Sequence, residues 1–175
     1  PRAIIDYVVV VGANVVHALD AWGRRLGRTI GPGDVEPLTW AVAERSRATS
    51  VSDFLVALDA AHAFGRRLAR WWQGGFDLLL TPTTALPPPR IGELTSTPEE
   101  PFRAYLRAAP YGAFTSPFNL SGQPAISLPL HRTAAGLPVG AQLVADFGRE
   151  DLLLGIAAAI EEAAPWAGDR PPVFG

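Results

Sequence analysis

Ser121 lies in the turn-like run Asn119-Leu120-Ser121-Gly122-Gln123-Pro124, and His131 follows ten residues later. A serine within reach of a histidine base is the minimum for nucleophilic acyl transfer. No Gly-x-Ser-x-Gly elbow surrounds Ser121 to expose its hydroxyl at a strand-to-helix turn. A turn serine and a loop histidine account for the two residues more simply. For metals, His17 with Asp20 and Asp59 with His62 stand three apart on expected helices. Each pair offers two ligands and no third, so local hydrogen bonds are expected, with no metal and no cofactor. Glu99-Glu100 and Glu161-Glu162 are adjacent along the chain, so their carboxylates diverge instead of converging on one atom.

Absent residue types remove whole classes of chemistry. The 175 residues include no Cys, which excludes disulfides, thiolate metal sites and cysteine nucleophiles. There is no Lys, so all 15 basic residues are Arg. A lysine base, a Schiff base and the lysine of a phosphate loop are therefore excluded, and Gly74-Gly75 and Gly31-Pro32-Gly33 lack the phosphate-loop pattern as well. Arg24-Arg25 and Arg66-Arg67 lie near tryptophans, but a net charge of −2 gives no field to hold a polyanion or an anionic membrane. No nucleic-acid or membrane partner is expected. Pro1-Arg2-Ala3 lacks the layout of a signal peptide, and a cytoplasmic protein is expected. The chain contains no Met, from which a segment of something longer is expected. The absence of Lys and the 28 Ala point to a GC-rich bacterial gene.

The elements that would position these residues follow from periodicity. Val11, Val15, Leu19, Trp22 and Leu26 recur at helical spacing and predict a helix ending near Gly27, while Val8 to Val11 favour strand by propensity. Asp34 is placed to cap a helix over Val35 to Arg47. Ser50-Val51-Ser52-Asp53 has capping-box spacing. The helix behind it carries Val51, Phe54, Leu55, Leu58, Ala61, Leu68 and Trp72 on one stripe and stops at Gly74-Gly75. Phe76 to Pro82 reads as a buried inner strand, since its leucine run is apolar toward both faces. Between Pro82 and Pro138 lie 11 of the 17 prolines, interleaved with Phe102, Tyr105, Tyr111, Phe114 and Phe118. A solvated linker would not carry those aromatics, so a packed, loop-rich segment with one or two short helices between Glu99 and Phe118 is expected. Ala125 to Leu130 and Val139 to Ala145 predict a hairpin around Gly136. A last helix carries Leu152, Leu153, Ile156, Ala157 and Ile160 inward and ends before Pro165. Strands alternating with amphipathic helices give an α/β class. The sheet is expected to be mixed, with an edge or face left for a further part of the protein to cover.

Four stretches in order, Phe76 to Thr84, Pro117 to Pro129, Gly136 to Val144 and Asp151 to Leu154 leading to Glu161, resemble the C-terminal part of the amidase signature family. Leu38-Thr39-Trp40 to Arg47, with the helix after Ser50, is similar to the branch of bacterial amidases that includes 6-aminohexanoate cyclic dimer hydrolase. The resemblance covers most of the chain and is weakest before Gly31. It implies a fragment of the α/β/α amidase fold: residues 1–175 as the C-terminal portion of one domain, with 168–175 a loose tail. It also implies hydrolysis of a small-molecule carboxylic amide by a serine nucleophile, a bridging serine on a cis peptide and a lysine, all in the N-terminal portion. This chain has neither a lysine nor a Gly-Gly-Ser-Ser run, so no catalytic residue is expected within it. By position the resemblance places Ala109, Tyr111, Gly112, Phe114, Thr115 and Ser116 along the acyl side of the substrate pocket. Asn119 is expected to hold the following turn through its side chain and Gly122 to supply positive φ there. Two other readings stand beside this one: a binding or scaffold domain that kept part of the fold, and a self-contained hydrolase built on Ser121 and His131. An isolated piece of a larger sheet should also self-associate.

Overall fold

The computed structural model describes residues 2–169. The chain divides into two compact units, one of residues 1–66 and 89–110, the other of residues 67–88 and 111–175. In the first unit, α1 (Arg2–Leu26), α2 (Pro37–Ser46), most of α3 (Val51–Trp72) and α4 (Arg103–Ala108) are helical. Val8 to Val11 lie in α1 and not in a strand, because the apolar spacing over the whole helix outweighs their β-branched propensity. Leu19, Ile30 and Ala43 form the core here, with Val15, Val16, Val35 and Trp40 packed on it. Gly12 is buried against Ser46 of α2, where a Cβ would collide with the serine side chain. Trp22 and Leu26, expected on the inward stripe, are exposed.

Asp34 does not cap α2. The helix starts at Pro37 with Glu36 as its N-cap, and Asp34 instead grips Arg28 through two bonds of 2.8 Å and accepts the Gly31 N–H at 2.8 Å. A bidentate guanidinium outcompetes a distant helix end for the carboxylate. The capping box at α3 forms as expected: the Asp53 N–H donates to Ser50 Oγ at 3.1 Å, and the Ser50 N–H returns to Asp53 at 3.2 Å. The Ser50 hydroxyl, which donates to Asp53 Oδ2 at 2.7 Å, and after it the Ser50 N–H hold the Asp53 carboxyl below the usual range. The buried face of α3 carries the small residues Ala57, Ala61 and Gly65, whereas Val51 and Leu55 are exposed.

In the second unit, β1 (Leu79–Pro82), β2 (Ala125–Arg132) and β3 (Pro138–Val144) form one sheet in the order β1-β3-β2. The helices here are α5 (Ser116–Ser121) and α6 (Glu150–Ala163). The α/β class and the hairpin are as expected. A mixed sheet was expected too, but both pairings among the described residues are antiparallel, because β3 lies between β1 and β2 and opposes both. The leucine run predicts an inner strand, but among the described residues β1 has β3 alone as its strand partner, and Leu80 is exposed. The hairpin turn is closed by Thr133, whose N–H donates to the Leu137 carbonyl at 2.8 Å, with Gly136 at φ 80°.

The register assigns the two faces of the sheet. Leu80, Leu143 and Ile126 form one row, Pro82, Ala141 and Leu128 the next on the same face. Leu128, Leu143 and Ala145 pack there with Leu153 and Ala157 of α6, the residues the periodicity had placed inward. On the other face Val144 is fully buried against Trp72 and Phe118, with Leu68 and Leu79 packed alongside. The tail expected from Gly168 lies outside the described residues from residue 170 onward. Asp169 pairs with Arg132 at 3.1 Å.

Candidate functional site

The segment that the resemblance singles out is built on a short succession of turns. After α4 the chain tightens into a 3₁₀ turn over Ala109–Gly112, with Ala109 exposed and Tyr111 half-buried. The Gly112 carbonyl then collects three donors: the Thr115 N–H at 3.2 Å, Thr115 Oγ1 at 3.4 Å and Ser116 Oγ at 2.7 Å. A Cβ on Gly112 would sit 3.1 Å from Ser116 Oγ, so glycine leaves room for this closure. The hydroxyls of Thr115 and Ser116 thus serve the turn itself. Phe114, half-buried like Tyr111, offers an apolar surface.

Downstream, α5 ends at Gly122, which has φ 79° and donates its N–H to the Phe118 carbonyl at 2.8 Å. That conformation favours glycine because a Cβ would crowd the backbone. Asn119 lies exposed on α5 and gives its backbone N–H to the Thr115 carbonyl at 3.1 Å. The side-chain bonds in this turn are those of Ser121, whose hydroxyl is shared between the Phe118 carbonyl at 3.4 Å and Gln123 Oε1 at 3.1 Å. Ser121 is therefore engaged locally. His131 sits exposed on β2, beyond an irregularity in the pairing between Leu128 and His131.

Gln142 went unmarked in the sequence, yet it joins the candidate segment to the sheet. It lies on the central strand, is 4% exposed, and stands in register with Thr81 on one side and Ser127 on the other. Its Nε2 donates to Thr81 Oγ1 at 3.0 Å and to the Phe114 carbonyl at 3.1 Å. One step along the same face, Thr83 Oγ1 and Ser127 Oγ meet at 2.6 Å over Gly140. The available signal was an amide inside an otherwise apolar strand, a group that burial obliges to find partners.

No group of three or more metal-ligating side chains forms among the described residues. Glu99, Glu100, Glu161 and Glu162 are exposed. Arg25 lies over the Trp22 ring at 5.1 Å, an exposed cation–π contact at the end of α1. Among the described residues, no helix is long and apolar enough to cross a membrane. One open concavity is lined by residues such as Asp20, Arg24, Arg28 and Arg47, another by residues such as Glu100, Phe102, Arg103 and Arg107. Neither includes Tyr111 to Ser116.

The amidase family profile matches residues 9–154. This chain belongs to the amidase family. Among its amidase relatives, 6-aminohexanoate-cyclic-dimer hydrolase of Pseudomonas sp. (strain NK87) is 37% identical over 97% of this chain and 35% of its own length. A solved structure of 6-aminohexanoate cyclic dimer hydrolase covers 98% of this chain and 37% of that one, with a TM-score of 0.92 and 36% identity. The structure of that hydrolase complexed with substrate superposes with a TM-score of 0.91. The chain spans about a third of the length of the relatives it matches.

Proposed function

We propose that this chain is the C-terminal segment of a longer bacterial amide hydrolase, in which it completes the fold and lines the acyl side of the substrate pocket with Tyr111, Gly112, Phe114, Thr115 and Ser116. The observation that carries the reading is the superposition on 6-aminohexanoate cyclic dimer hydrolase over nearly the whole chain. The absence of any lysine supports assigning the bond-making groups to another portion of the protein. A serine nucleophile activated through a bridging serine by a neutral lysine needs a primary amine that this chain does not supply. That relay, and the N–H groups that would hold the oxyanion, are assigned to the N-terminal portion.

In this arrangement the segment contributes binding and not bond-making. Its aromatic surface accepts the apolar part of an acyl group, in keeping with pockets that are mainly apolar with few polar fixtures. The cyclic dimer of 6-aminohexanoate is the first substrate to assay, and linear amides of straight-chain acids are the second.

The test compares two purified proteins. The full-length gene product is expected to hydrolyse carboxylic amides, and the 175-residue chain alone is expected to hydrolyse none. Turnover by the isolated chain, or an inert full-length protein, would overturn the proposal; the second outcome favours the scaffold reading. On the same reading, the isolated chain is expected to self-associate through surface that the rest of the protein covers.

A further inference from the structure

We propose that Gln142 is a positioning residue for the acyl pocket, fixing the backbone at Phe114 and through it the acyl-chain selectivity of the enzyme. The inference rests on the reading above that Tyr111 to Ser116 line that pocket. It begins from a cost. A primary amide buried to 4% exposure on a central strand is expensive unless its polar atoms are paired. Here the N–H groups of Nε2 reach Thr81 Oγ1 at 3.0 Å and the Phe114 carbonyl at 3.1 Å.

The orientation of the amide is fixed by chemistry. The Phe114 carbonyl can only accept, so the atom facing it must be the nitrogen. Thr81 Oγ1 accepts from that nitrogen and passes its own proton to the Pro82 carbonyl at 3.0 Å. Hydrogen bonds donated outward from Nε2 therefore link the β1 backbone on one side and the candidate segment on the other.

The support is a central strand and the supported part is a turn. β3 is hydrogen-bonded on both edges, and Val144 beside Gln142 has no exposed surface. The segment from Tyr111 to Thr115, by contrast, has no strand or α-helix of its own. Bonds within it close the Gly112 turn, and the Gln142 bond ties it to the sheet. A shift at Phe114 of the size that a lost hydrogen bond permits would move the aromatic surface facing the acyl chain. Groups at the scissile bond would be untouched.

The experiment uses the full-length protein and the p-nitroanilides of acetic, butyric and hexanoic acids. Gln142→Met keeps the volume and removes the donors. It is expected to raise KM for the hexanoyl substrate about fivefold while kcat and the acetyl KM stay within about twofold. Thr81→Val, which leaves the Phe114 bond in place but removes its backing, should shift the profile the same way by less, and it carries the test if Gln142→Met does not fold. Phe114→Ala tests the underlying reading separately. If Phe114→Ala alters the acyl profile while Gln142→Met and Thr81→Val leave it as in the parent, the positioning role is refuted and the pocket reading stands. If none of the three alters it, or if the parent hydrolyses none of the substrates, the pocket reading fails and this inference falls with it. A lowered melting temperature with acyl selectivity unchanged would reduce Gln142 to a structural part of the sheet.

Discussion

At the residue scale, the chain repeatedly spends polar side chains on local geometry, and the Arg28–Asp34 pair shows how strongly. Two bonds of 2.8 Å from the guanidinium and one of 2.8 Å from the Gly31 N–H all stabilise the charged carboxylate. The arginine bond is the largest influence, the Gly31 bond the next, and the Asp34 carboxyl is held down to about 2. Because the folded state lowers this group below its ordinary value of about 3.9, the pair favours folding wherever unfolded Asp34 would be ionised. Its contribution is complete above the ordinary carboxylate range and disappears as pH falls through about 2. Following the Asp34 carboxyl resonance by NMR should give a midpoint near 2 in the native chain, and in Arg28→Leu a midpoint moved up toward the ordinary value. A native midpoint already at the ordinary value would refute the pair in solution.

At the element scale, the sheet depends on a glycine whose role is steric. A Cβ at Gly140 would lie 2.6 Å from Thr83 Oγ1 and 2.7 Å from Ser127 Oγ, the two hydroxyls that meet across the central strand. Gly140→Ala should therefore cost about 1–3 kcal/mol, the usual range for overpacking. The same substitution in a Thr83→Ala, Ser127→Ala background should cost less, as measured by urea unfolding; an equal penalty in both backgrounds would remove the steric account. This feature also marks the limit of what the sequence conveys. The Ser50–Asp53 cap, the Gly136 turn and the inward stripe of α6 were legible because each is decided by neighbours a few residues away. Val8 to Val11 were ambiguous because local propensity and helical period disagreed, and the period won. Asp34 was misassigned because a capping position looks the same whether or not an arginine competes for it. The partners of Gln142 lie 28 and 61 residues away, and no local pattern announces them. For the candidate site, the positive φ at Gly122 could be anticipated, but the hydrogen-bonded closure around Gly112 could not.

At the scale of the whole molecule, the decisive feature is apolar surface. Single exposed hydrophobes are normal on any protein, but here some stand where an element invites a partner. Leu80 is 66% exposed on β1, an outer strand whose second edge has no strand partner among the described residues. Along α3, Val51 and Leu55 stand one turn apart at 78% and 52% exposure. An outer strand offers unpaired N–H and C=O groups to any chain that approaches. On the proposed reading the N-terminal portion of the enzyme covers this surface, so removing it should leave a second copy as the nearest substitute. Sedimentation velocity of the isolated 175-residue chain should show an s-value that rises with concentration, and the full-length protein should lack that particular association. Leu80→Lys places a charge on the open strand, at the exposed end of the row that Leu80 shares with Leu143 and Ile126, and it should weaken the association of the isolated chain. An isolated chain that stays monomeric at every concentration, with or without Leu80→Lys, would show that β1 is protected within this segment alone, and the need for a covering portion would have to be argued from elsewhere in the fold.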